Sequence, residues 1–81
     1  RDTAASLATA DQPLFEALRM RRKEIADGLD LPPYVIFHDA TLRQMAEYRP
    51  KTEADLLSIN GVGEAKLERY GKAFLEVIAA A

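Results

Sequence analysis

Leu31-Pro32-Pro33-Tyr34-Val35-Ile36-Phe37-His38-Asp39 is the stretch on which the fold class turns. Taken alone, Tyr34-Val35-Ile36-Phe37 suits a strand, because aromatic and β-branched side chains fit a pleated surface. Periodicity does not separate strand from helix in so short a run. A strand needs a partner, and the chain has no second run of this kind. The reading is therefore a short helical turn tucked into the core. Pro32-Pro33 forces an extended turn ahead of it, since proline fixes φ and pushes the residue before it out of the helical region.

Upstream, a helix is expected to start near Gln12-Pro13, with proline in the first turn where its missing N–H costs nothing. Asp11 is the better candidate cap and Gln12 the alternative. Leu14, Leu18, Ile25 and Leu29 form a stripe at helical spacing, with Phe15 and Ala26 beside it and Arg22 on its border. Gly28 is expected to weaken or end this helix. Residues 1–11 are small and polar and read as a linker or frayed end; residues 12–81 read as one helical domain.

Downstream, Asp39 reads as the cap of a helix from Ala40 to Tyr48, with Leu42, Met45 and Ala46 inward and Pro50 as its stop. Thr52-Glu53-Ala54-Asp55 resembles a capping box with aspartate at its last position. The short helix behind it carries Leu56, Leu57 and Ile59. Asn60-Gly61-Val62-Gly63 reads as a tight hairpin. A helix from Glu64 to Tyr70 follows, with Leu67 and Tyr70 buried, and Gly71 is expected to break it in left-handed geometry. A last helix, Lys72 to Ala80, points Phe74, Val77 and Ile78 inward. The expected fold is all-α: a compact bundle of about five short helices.

The composition of these 81 residues narrows the function. There is no cysteine and one histidine, His38, which rules out disulfides and the usual zinc sets. No nucleophile elbow and no phosphate-binding Walker loop is present; Gly61-Val62-Gly63 lacks the spacing and the Lys-Ser/Thr ending. The expectation is a binding module with no catalytic residues, cofactor or metal. No segment reads as a membrane span or signal peptide, so a cytoplasmic monomer is the default. Net charge is −2, which disfavours a domain that grips nucleic acid by bulk charge. Any electrostatic site must be a local patch.

Three places qualify. Hydrophobic–x–Gly–x–Gly opening a helix, Ile59 to Gly63, resembles a helix–hairpin–helix turn, in which bared backbone N–H groups at Gly61 and Gly63 meet a phosphate and Lys66 and Arg69 add charge. The alternative is a turn that only packs two helices, and Glu64 would repel a phosphate. Arg19 and Lys23 are four apart and share a helix face suited to phosphate contact, while Arg22 is expected to pack its stem and pair with a carboxylate. The alternative is a solvated charged face. Tyr34, on a proline-stiffened corner near these cations, suits stacking on an unpaired base; the alternative is a core tyrosine. Met20 falls off the apolar stripe, and His38 reads as a solvated loop residue.

In order, Leu14-Phe15-x-x-Leu18-Arg19-x-x-Arg22-Lys23-x-Ile25-Ala26, Pro32-Pro33-Tyr34-Val35-Ile36-Phe37-x-Asp39-x-Thr41-Leu42 and Leu57-x-Ile59-x-Gly61-Val62-Gly63-x-x-Lys66-Leu67-x-x-Tyr70-Gly71 resemble an HRDC (helicase and RNase D C-terminal) domain. The resemblance covers nearly all of residues 13–79 and is closer to bacterial RecQ helicases than to RNase D. It implies five helices and an auxiliary role, in which the domain helps a helicase engage single-stranded, partial-duplex or branched DNA while the ATPase motor lies in other domains. It implies a single-strand contact for Tyr34 and basic contacts for Arg19, Arg22, Lys23, Lys66 and Arg69. The slight negative charge departs from strongly basic members. Docking on other domains of the same helicase, with little DNA affinity, is therefore the competing implication, and an RNase D-type role shares the fold.

Overall fold

The computed structural model describes residues 8–81. A 3-10 turn, Thr9–Asp11, leads directly into α1, Gln12–Leu29, and is followed by α2 Pro33–Ile36, α3 Asp39–Tyr48, α4 Glu53–Leu57 and α5 Glu64–Lys66. A π-helical turn, Leu67–Gly71, joins α5 to α6, Lys72–Ala80. Counted as one helix, 64–80 makes five, as expected, and no strand occurs among the described residues.

The core is built around α1, which packs against α3, α6 and α2. Leu18, Ile36, Phe37, Leu42, Met45, Leu56 and Phe74 are fully buried. Phe37 stands edge-on to Phe74, with centroids 5.1 Å apart, and to Tyr70 at 6.2 Å. Edge-to-face pairs of this kind add to area burial. The strand-like run is thus a helical turn, and its last two residues, Ile36 and Phe37, enter the core.

Several local expectations are corrected. Asp11 does not cap α1: the preceding 3-10 turn already holds its backbone near helical geometry, and its carboxylate accepts a 3.5 Å contact from Arg49 Nη2. Gly28 does not end α1. The helix runs to Leu29, and Asp30 takes the left-handed position at φ 59, while the Leu31 N–H closes the end on the Ala26 carbonyl at 2.9 Å. This is a helix stop usually given to glycine. Leu29, the last residue of α1, is exposed and does not join the core stripe.

Asp39 is the first residue of α3 and not its cap; His38 precedes it in extended geometry, and its carbonyl accepts from the Thr41 and Leu42 N–H groups. Gly71 is not left-handed either. Its φ of −55° is helical, and the chain continues through it. The glycine sits close to its neighbours: a Cβ there would lie 2.7 Å from Leu67 Cδ1, so that side chain would have to shift, and 3.5 Å from Leu56 Cδ2. By contrast, half of the Thr52 box forms, with Thr52 Oγ1 accepting from the Asp55 N–H at 3.1 Å; the return bond misses the cap, the Asp55 carboxylate accepting instead from the N–H of Lys51, one residue earlier, at 3.4 Å. The linker reading of the first segment falls largely on residues 1–7, outside the described residues.

Candidate nucleic-acid interface

Arg22 is the residue around which the candidate surface is assembled. Its place in the α1 sequence puts it among Leu14, Leu18 and Ala26, and it is 8% exposed. A guanidinium so placed needs partners. It donates to the Phe37 carbonyl at 2.9 Å and to Asp39 Oδ1 at 2.8 Å. These contacts tie α1 to the end of α2 and the start of α3. The Arg22 hydrogen bond is the main cause holding the Asp39 carboxyl below its usual value of 3.8; partial burial opposes it, and the charges of Arg22, Arg19 and Arg43 assist.

The tie presents Tyr34. Pro33 opens α2, and the ring one residue later projects outward, 60% exposed, while Ile36 and Phe37 anchor the same turn from below. His38 stacks on Tyr34 with centroids 5.9 Å apart and 29° between planes. His38 is exposed, as expected of a loop residue, but it also backs the candidate platform; α2 ends at Ile36, and the extended backbone of Phe37 and His38 brings the two rings together, so helical spacing carries no signal of the stack.

Arg19, Arg22 and Lys23 line one shallow depression with Pro33, Glu16 and Met20. The sequence-predicted cations of α1 therefore border Pro33, the residue that precedes Tyr34. Their charge is damped: Arg19 meets Glu16 at 3.3 Å, and Lys23 meets Asp27 at 2.9 Å, which raises the Lys23 pKa through that hydrogen bond and the charge beside it. These pairs are solvent-exposed, and such pairs exchange partners at little cost.

Lys66 reaches Phe37 from the other side, its Nζ 5.8 Å from the ring centroid, so Arg22 and Lys66 share Phe37 as a neighbour. Arg69 is exposed on the π-turn. The hairpin glycines face elsewhere. Gly61 has φ +93 and backs onto α3, where a Cβ would collide with Thr41 Oγ1; that hydroxyl donates to the Asn60 carbonyl at 3.0 Å. Gly63 has open space around it and leads straight into Glu64. The motifs do not mark Arg43 of α3, whose Cζ lies 5.4 Å from the Phe15 ring centroid.

Family comparison matches residues 11–78, almost the whole described unit, to the HRDC domain. The chain belongs to the HRDC family. Among curated relatives of this HRDC domain, the ATP-dependent DNA helicase RecQ of Pasteurella multocida is 48% identical over 73 residues, and that of Haemophilus influenzae 50% over 72. The matches take in 90% and 89% of this chain but 12% of each helicase. The chain thus spans about an eighth of the length of these relatives. Among solved structures, D. radiodurans RecQ HRDC domain 3 superposes with a TM-score of 0.85 at 35% identity, covering 89% of this chain and 95% of that one. Among the described residues no helix is long and apolar enough to cross a membrane, and no cluster of His, Cys, Asp and Glu could hold a metal.

Proposed function

We propose that this HRDC domain is an auxiliary DNA contact of a RecQ-type helicase, making weak, sequence-independent contact with single-stranded or partial-duplex DNA that brings the motor to its substrate. The exposure of Tyr34 beside the Arg19–Lys23 face carries this reading. A large aromatic ring left in water on a turn that Ile36 and Phe37 anchor in the core is a ready surface for an unpaired base, and stacking contributes about 1–3 kcal/mol per base. Arg19 and Lys23 supply the phosphate contacts, with Lys66 and Arg69 as outlying charges. Arg22, committed to Asp39 and Phe37, serves as a positioning residue. Gly61 and Gly63 belong to the reading only if the hairpin meets DNA separately.

The modest net charge keeps the contact weak, which suits a domain whose target is brought near by the motor. Titration of labelled single-stranded DNA at two salt concentrations tests the reading. Binding should weaken with salt, and Tyr34→Ala and Lys23→Ala should each reduce it. Unchanged affinity in both variants would overturn it.

A second reading is supported by a specific observation. A groove between α1 and α6, lined by Ala17, Met20, Ala73 and Val77, leaves Met20 61% exposed. An apolar groove flanked by both signs of charge suits another domain of the same helicase. Under this reading the domain binds DNA poorly, and charge reversals on the rim of the groove such as Glu24→Lys or Glu76→Lys change the behaviour of the full helicase.

A further inference from the structure

Phe15 carries two guanidinium groups. Arg19 Cζ, from the next turn of α1, is 5.8 Å from its ring centroid, and Arg43 Cζ, from α3, is 5.4 Å away. The ring is half-buried and packs on the core, so it is a fixed base for both. Arg43 pairs with no carboxylate among the described residues. Arg19 has only the exposed Glu16, and Asp39 is shared by the fields of Arg22, Arg19 and Arg43. Three guanidiniums thus face two carboxylates along one seam. A planar, always-charged fork held on an aromatic face is the arrangement that suits a bidentate oxyanion.

We propose that Arg43 and Arg19, seated on Phe15, form a phosphate clamp that extends the DNA path from Tyr34 along the α1/α3 seam. The contacts fix the direction of that path. Arg22 meets Asp39 at the start of α3, and Phe15 meets Arg43 one turn further on, so the two helices run in opposite senses. From Arg22 back to Phe15 is two turns of α1, about 10 Å, or roughly three stacked nucleotides at 3.4 Å each. One strand with a base on Tyr34 would enter this seam at its Arg22 end and bring a later phosphate to Arg43. The inference rests on the DNA-binding reading above.

The test compares an oligothymidylate of about twelve nucleotides, long enough for a binding site of this class, with a trimer, using Arg43→Met, Arg43→Lys and Tyr34→Ala. Methionine retains an apolar stem on Phe15; lysine restores the charge without the fork. Arg43→Met should weaken the long strand by roughly 3–10-fold and reduce the slope of log affinity against log salt by about 0.7. It should leave the trimer, held at Tyr34, within twofold, while Arg43→Lys recovers most of the salt slope. Thermal unfolding of each variant checks that the fold is kept. If Tyr34→Ala weakens both strands and Arg43→Met leaves affinity and slope as in the parent, the clamp is wrong and the DNA reading stands. If neither variant has an effect, both are wrong. If Arg43→Met releases an acidic peptide such as polyglutamate but not DNA, the seam is a protein site and the clamp is overturned.

Discussion

Arg22 and Asp39, distant in sequence, meet at 2.8 Å, with the arginine nearly sealed and the aspartate half in water. That asymmetry sets their unequal worth. Arg22 also satisfies the Phe37 carbonyl; removing it leaves that acceptor and the carboxylate without a donor. Arg22→Ala should cost about 1–3 kcal/mol from the abandoned acceptors, with further loss from its buried stem. Asp39→Ala should cost less than Arg22→Ala. Urea denaturation of both single variants and the double variant gives the coupling, which should make the double loss smaller than the sum.

The same pair predicts an acid limb of stability. The folded-state pKa of Asp39 lies below its ordinary value of 3.8, so the folded protein binds this proton less readily than the unfolded chain. Its contribution is fully present above the unfolded pKa and is lost as pH falls through the folded one. Stability should therefore decline below about pH 4, and Asp39→Asn should flatten part of that decline while lowering stability at neutral pH. A set of denaturation curves from pH 2 to 7 measures this. An identical acid limb in Asp39→Asn would show that the pair contributes nothing to it.

The hairpin glycines should behave oppositely. Gly61→Ala forces a side chain into left-handed geometry and onto Thr41 Oγ1. A loss above about 1 kcal/mol is expected. Gly63→Ala meets open space at an ordinary φ of −93°, and a change within about 0.5 kcal/mol is expected. Guanidinium melts of the two variants compare them directly. Equal losses would contradict the placement of the turn against α3.

Gly28 lies inside α1 and has nothing within 4 Å of where a Cβ would stand. Gly28→Ala should stabilise the domain by about 0.5–1 kcal/mol, because alanine loses less backbone freedom on entering a helix. A raised thermal midpoint would be the readout; an unchanged or lowered one would mean that the end of α1 is frayed.

His38 should matter only through Tyr34. His38→Ala removes the stacked ring behind the platform but no core contact, since both side chains are exposed. Unfolding stability should stay within about 0.5 kcal/mol, while single-strand affinity falls by less than in Tyr34→Ala. Full parental affinity in His38→Ala would mean that Tyr34 acts alone.

The amino-acid sequence by itself determined the all-α class, the main helices and most of the core. Leu14, Leu18, Leu42, Met45 and Phe74 recur at helical spacing, Thr52 and Pro50 mark boundaries by local chemistry, and the motif order points to the HRDC family. These are short-range properties, written within a few residues of where they act. Tertiary structure decided what spacing could not express: that Asp39 turns from capping to Arg22, that Gly61 and Gly71 make room for Thr41 and for Leu67 and Leu56, and that Asp30 closes α1. It also decided that Tyr34 faces water while Ile36 and Phe37 do not, and that Arg43 joins Arg19 on Phe15. Apart from Asp30, whose closure is local to the end of α1, each of these depends on a neighbour from another helix, and only packing brings such neighbours within reach.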